Sequence, residues 1–279
     1  FHQKKMIALE GSFQDQEGRA VVILDKKPFD SDSIAAEVVQ GGGMELDFEN
    51  AEYASYHMEL PSRINRLTCS VICPATDKHI AKYSKEELQV LHETPEVYES
   101  ITRPYVEREE LGGRIAWVHN IIDGSKEADR VLFHDPDPET GFKMLPDMKW
   151  DQLSIDSLYC LVIVNRTGLL SLRSLSTEHL PLLRNILHKG SEELQRRYGV
   201  LPSQLRVYLH YQPTFYHLHV HFTHLLAEAP GTEAGRAHLL SDVIDNISLY
   251  PDYYQKKTMT FAIRSTLGLC KELTKATAS

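Results

Sequence analysis

Two hydrophobic periods alternate along this chain. Met44, Leu46 and Phe48 are spaced by Glu45, Asp47 and Glu49, the two-residue period of a half-buried strand. Arg19–Leu24 and Leu67–Cys73 are short apolar runs that predict strands, the second one buried. Lys26-Lys27-Pro28 ends the first and Pro74 the second. Between them, Ser31 or Asp32 caps a predicted helix through Val39, stopped by Gly41-Gly42-Gly43. Residues 76–110 change character. Ser84-Lys85-Glu86-Glu87 makes a capping box ahead of Leu88 and Leu91. Thr94-Pro95 and Arg103-Pro104 then interrupt the helical pattern. This charged, twice-broken segment has two readings, a hinge or an ordinary pair of surface helices.

From about residue 114 strands and helices mix, and the expected fold class is α+β. Leu158–Val164 reads as a buried strand. Ser176 can cap a helix whose apolar stripe is Leu180, Leu183, Leu187 and Leu194, with Gly199 as its stop. Arg206–Tyr211 and Tyr216–Phe222 predict an antiparallel hairpin turned at Gln212-Pro213. A helix over Ala234–Asn246 and a strand over Thr258–Ile263 complete the expectation.

Composition narrows the function. A chain of 279 residues is long enough for two domains, or for one with a large extension. Lys and Arg total 30 against 39 Asp and Glu, a net charge of −9. That balance opposes gripping long duplex nucleic acid, which needs a broad basic face, but it allows a small anionic ligand. No apolar run is long enough to predict a transmembrane helix, and Phe1-His2-Gln3-Lys4-Lys5 lacks the apolar core of a signal peptide. The four cysteines, Cys69, Cys73, Cys160 and Cys270, form no disulfide framework and are expected as reduced core thiols of an intracellular protein.

Histidine carries the chemistry. There are 14, and three alternate in Tyr216-His217-Leu218-His219-Val220-His221-Phe222. On a strand, His217, His219 and His221 share one face, roughly 6.5–7 Å apart, while Leu218, Val220 and Phe222 anchor the other. Three readings compete: satisfied structural histidines, a metal half-site, and nucleophilic attack on phosphorus. In the third, one imidazole nitrogen forms a phosphoramidate and its neighbours hydrogen-bond the phosphate oxygens.

The His-φ-His-φ-His-φ segment, where φ is apolar, resembles the signature of the histidine triad family of nucleotidyl hydrolases and transferases. Leu180–His188, Val207-Tyr208-Leu209-His210-Tyr211 and Asp135-Pro136-Asp137-Pro138 resemble its scavenger mRNA decapping branch, over roughly residues 18 to 275. The resemblance implies a C-terminal histidine-triad-like antiparallel sheet with helices over 96–279. It also implies a hinge over 79–95 and a smaller strand-rich N-terminal domain over 1–78, exchanged between protomers of a homodimer. It implies hydrolysis of the 7-methylguanosine cap dinucleotide, or of short capped RNA, to 7-methylguanosine monophosphate and a nucleoside diphosphate. No metal or other cofactor is expected, nor a membrane or long nucleic acid as partner. The expected location is cytoplasmic and nuclear.

The same resemblance assigns residues. His219 is the nucleophile, His217 orients it, His221 contacts phosphate oxygens, and His210 reaches the same face across the hairpin. Trp117, Glu127, Asp147, Met148 and Lys149 hold the methylated base and its sugar. A Trp face suits a cationic purine, because cation–π attraction adds to stacking. Arg236 and Lys82 bind phosphate, and Asn50, Tyr53 and Tyr83 close over the ligand. Phe215 departs from the pattern, standing where some relatives carry Tyr. Alternatives are a generic triad hydrolase of dinucleoside polyphosphates, a cap-binding protein without turnover, and a metalloenzyme.

Overall fold

The computed structural model describes residues 2–3, 6–26, 34–36, 38, 43–59, 61–62, 65, 67–83, 87–111, 113, 115–148, 150, 152–229 and 231–277. The chain divides into two units, Phe1–Glu86 and Glu87–Ser279. The division falls inside the 79–95 segment.

The first unit is built of antiparallel strands. β1 (His2–Gln3), β2 (Met6–Gly11), β3 (Ala20–Lys26) and β6 (Leu67–Ile72) form one sheet in that order. β4 (Met44–Asn50) and β5 (Tyr53–Met58) form a separate ribbon, followed by α1 (Asp77–Tyr83). The expected strands are present, but burial corrects two of them. β4 is exposed along its whole length and β6 on all but Ile72, so Cys69 is exposed and Cys73 half-buried. Period and branching report a strand; what covers it is a separate matter that local sequence does not encode. The helix expected up to Val39 lies largely outside the described residues, of which 34–36 are helical.

The second unit holds a six-stranded antiparallel sheet. Its strands are β8 (Phe133–His134), β9 (Phe142–Pro146), β10 (Tyr159–Val164), β11 (Leu205–His210), β12 (His219–His224) and β13 (Ala237–Leu239). Their spatial order is β13-β11-β12-β10-β9-β8. Residues opposite one another in an antiparallel ladder share a face. One face therefore presents Val220, Phe222, Cys160, Val162, Met144 and Val207, all in the main core. It packs on α4 (Leu180–Tyr198) and α5 (Leu240–Leu249). A Cβ at Gly190 of α4 would lie 2.6 Å from the Phe222 ring, so the helix rides close on the sheet. Gly199, at φ 71°, ends α4 in the left-handed conformation that suits glycine.

The opposite face carries His219 beside Ile163 and His221 beside Leu161 and Tyr208. α3 (Ala116–Ile122) lies over it, and Val118 and Ile121 pack with Leu145 and Ile163 in a second small core.

Two expectations are corrected here. Leu88 and Leu91 lie not on a helix but on β7 (Leu88–Glu93), which pairs in full register with β14 (Met259–Arg264). Ala237–Leu239 is not helical but an edge strand on β11, and the helix starts only at Leu240. In both, distant backbone partners outweigh a local helical pattern. Arg103-Pro104 does not break the chain's helix either. Residues 95–97 lead into α2 (Arg103–Leu111) through a wider turn over Tyr98–Thr102, where the Arg103 N–H bonds Tyr98 five residues back. Pro104 lacks the N–H of a regular helix and its ring crowds the carbonyl four residues earlier; the wide turn accommodates both. Among the described residues no helix is long and apolar enough to cross a membrane.

Candidate active site

β12 enters the sheet at His219, directly after the Tyr211–Leu218 connection. All four histidines of the hairpin, 210, 217, 219 and 221, are buried. Three are fixed by backbone carbonyls, and a carbonyl oxygen only accepts, so their tautomers follow. His219 Nδ1–H donates to the His217 carbonyl at 2.7 Å. His217 Nε2–H donates to the Val164 carbonyl at 2.8 Å. His210 Nε2–H donates to the Gly231 carbonyl at 3.0 Å. Neutral His219 thus carries its lone pair on Nε2. Burial pushes its pKa down to about 4, and burial lowers His217 as well. Near neutral pH the His219 imidazole is an uncharged base that needs no deprotonation before it acts.

Aromatic rings frame the row. Phe215 stacks on His219, with centroids 3.9 Å apart and planes 16° from parallel. Trp117 meets Phe215 edge-on at 4.8 Å. Tyr208 stacks on His221 at 5.1 Å, and the His210 ring lies 4.4 Å from His221. The Tyr159 hydroxyl is 3.1 Å from His221 Nδ1, and burial raises the phenol's pKa, which keeps it protonated.

Gly231 shows how closely the cationic end is built. Its φ is 88°, and a Cβ there would sit 2.6 Å from His210 Nε2 and 3.2 Å from Arg236 Nε. Only glycine lets the loop pass under both side chains. Arg236 Nε is buried without a hydrogen-bond partner among the described residues. An N–H left so is placed for an anion that none of the described residues supplies at that atom. A cavity of about 640 Å³ opens here, walled by Trp117, Gln212, Phe215, Tyr216 and Arg236 among others. The triad histidines are not in its wall; Phe215, which is, stacks on His219.

Of the other expected base-holding residues, Glu127 and Asp147 are brought near one another through Arg130. Glu127, at φ 56°, pairs with Arg130 at 2.6 Å, and Arg130 donates to the Pro146 carbonyl at 3.0 Å. Asp147 follows, half-buried, with its N–H on the Tyr159 carbonyl. Met148 is 89% exposed and Trp117 41%, large apolar surfaces open to solvent. Lys149 lies outside the described residues. In the first unit, Asn50 and Tyr53 flank the two-residue turn of the β4–β5 ribbon and are exposed; Tyr83 ends α1, half-buried. Of Lys82 only the backbone, within α1, is described. Local spacing did not single out Tyr159, Tyr208, Arg130 or Gly231 as part of the site, because each joins through cross-strand register or loop closure. Among the described residues no group of three or more His, Cys, Asp and Glu side chains is arranged to hold a metal ion.

Comparison with known proteins places the chain in a family. The family model described as scavenger mRNA decapping enzyme (DcpS) N-terminal matches residues 2–86. The model described as scavenger mRNA decapping enzyme C-term binding matches residues 116–236. A Homo sapiens protein named m7GpppX diphosphatase is 45% identical, covering 99% of this chain and 82% of its own length. Proteins of that name from Caenorhabditis elegans and Schizosaccharomyces pombe are 40% and 34% identical, over 87% and 99% of this chain and 78% and 92% of theirs. With both units matched in order and the similarity running nearly end to end, the chain belongs to the scavenger mRNA decapping enzyme family.

Proposed function

We propose that this protein is an m7GpppX diphosphatase, hydrolysing the 7-methylguanosine cap dinucleotide or short capped RNA to 7-methylguanosine monophosphate and a diphosphate-ended product. The observation that carries the reading is His219, buried, neutral, and held through Nδ1 so that its lone pair is on Nε2, which makes no hydrogen bond among the described residues. That nitrogen attacks the phosphorus next to the methylated nucleoside. The P–N bond forms as the P–O bond to the diphosphate breaks, and the electron pair leaves with that oxygen. Water then cleaves the P–N bond and returns the imidazole. Where the Tyr159 hydroxyl, 3.1 Å away, donates to His221 Nδ1, the His221 proton sits on Nε2 and can face the phosphate oxygens. Arg236 neutralises charge that develops there. The methylated base stacks on Trp117 with Glu127 accepting from its polar edge.

The N-terminal unit supplies Asn50, Tyr53, Lys82 and Tyr83 to bound cap from a partner protomer of a homodimer. Supporting this, β4, β5 and β6 leave Leu46, Phe48, Tyr53, Tyr56 and Val71 each at least half exposed in the single chain, more apolar surface than a monomeric sheet normally shows. Incubating the full chain with cap dinucleotide and separating the products tests the activity. 7-Methylguanosine monophosphate plus guanosine diphosphate is expected. Intact substrate, or release of 7-methylguanosine diphosphate, overturns it.

A further inference from the structure

The connection that delivers the histidines is anchored on a buried charge pair. Arg173 and Glu93 have fully buried side chains, with Arg173 Nη2 2.8 Å from Glu93 Oε1. Arg173 also donates to the carbonyls of Tyr254 at 2.7 Å, Lys257 at 2.8 Å and Glu93 at 3.0 Å. Glu93 accepts from the Thr102 hydroxyl at 2.6 Å, from the Tyr211 hydroxyl and from Gln212 Nε2 at 3.2 Å. The far end of the same amide, Gln212 Oε1, accepts the Tyr216 hydroxyl at 3.3 Å. Gln212 and Tyr216 thereby bracket Phe215, whose ring lies flat on His219.

A buried ion pair is a poor stabiliser in itself, since desolvation offsets much of the attraction. What this one does is geometric. It gathers residues 93, 102, 173 and 254–257 onto one loop, and the loop ends on the nucleophile. The Gln212 amide, at the cavity wall, is engaged at both ends, which ties its position to the charge pair on one side and to Tyr216 on the other. We infer that Gln212 is a positioning residue for His219. Fastened to the Glu93–Arg173 pair, it sets residues 212–216 so that Phe215 packs on the His219 ring and blocks the ring flip that would take Nδ1–H off the His217 carbonyl. The inference rests on the reading of His219 as the nucleophile.

The test uses the full chain. Substituting Glu93 or Arg173 would strand the other charge in the interior, so the variants are Gln212→Met, of similar length with neither donor nor acceptor, Phe215→Leu, and the ring-preserving Phe215→Tyr. Steady-state kinetics on cap dinucleotide are read beside long-range proton–nitrogen spectra of histidine-labelled protein, which report each imidazole's tautomer. Gln212→Met and Phe215→Leu should each lower kcat roughly 10- to 100-fold with KM little changed, the scale for a reacting group misplaced by about an ångström. Both should add a second His219 tautomer signal, while Phe215→Tyr, which keeps the ring, keeps the single Nδ1–H form. An unchanged kcat in Gln212→Met, a raised KM at constant kcat, or a fall in kcat with the His219 signal unaltered would each overturn the clamp. If the parent chain does not cleave cap, the proposed activity fails, and the tautomer spectra alone still decide whether Gln212 orients His219.

Discussion

The environment of one imidazole ties catalysis to folding. His219→Asn removes the nucleophilic nitrogen but keeps a polar side chain of similar reach. Turnover of cap dinucleotide should fall roughly 10³-fold or more, with cap affinity nearly intact; a variant retaining a tenth of the parent rate would contradict the role. The depressed pKa has its own signature. Folded His219 stays neutral down to about pH 4, whereas in the unfolded chain it protonates below its ordinary value near 6.5. Between those limits the unfolded state binds the extra proton, so acid favours unfolding. From pH 7 to pH 5 this group should cost about 2 kcal/mol of stability. Urea unfolding at both pH values should show that much less acid loss in His219→Asn than in the parent chain. The alternation of His219 and His221 made that pair legible in the sequence, because a two-residue period is local; His217, expected on the same strand, lies instead on the connection before β12. Nothing local shows that Phe215 lies on His219, or that Tyr159 meets His221 across a strand pair.

Among the elements, α3 shows how one helix serves two purposes. Val118 and Ile121 are buried against the sheet, while Trp117 stands 41% exposed on the same two turns. Trp117→Ala should therefore weaken binding of methylated cap by about 1–3 kcal/mol, with a smaller loss for unmethylated cap, which lacks the ring charge. Calorimetric titration with both ligands measures the difference, and equal losses would assign Trp117 a shape role only. The long helix α4 was readable from Leu180, Leu183, Leu187, Leu194 and Gly199, since stripe and stop lie within one segment. β7 was not. Leu88 and Leu91 fit a helical spacing equally well, and the partner that settles the matter, β14, lies some 170 residues downstream. Ala237–Leu239 failed likewise, its strand state set by the edge of β11.

In the whole molecule, the division of the chain sorts the chemistry. Every buried histidine of the site, with Arg236, Trp117 and both apolar clusters, lies in residues 87–279. A fragment of those residues should fold, and it should lose cap hydrolysis if Asn50, Tyr53, Lys82 and Tyr83 complete the site. Full-rate cleavage by the fragment would refute the contribution of the N-terminal unit. Sequence organisation showed two parts, but the exposed faces of β4 and β6 were invisible to it, because apolar periodicity is the same whether the covering layer belongs to the chain or to something else. The thiols turn that exposure into a readout. Cys160 and Cys270 are sealed in the second unit, Cys69 is open on β6, and Cys73 is half-buried. A maleimide dye offered to the native protein should therefore mark the first unit and spare the second. Its rate of attachment at Cys69 becomes a clock for how long that sheet face stays uncovered, readable as protein concentration is raised.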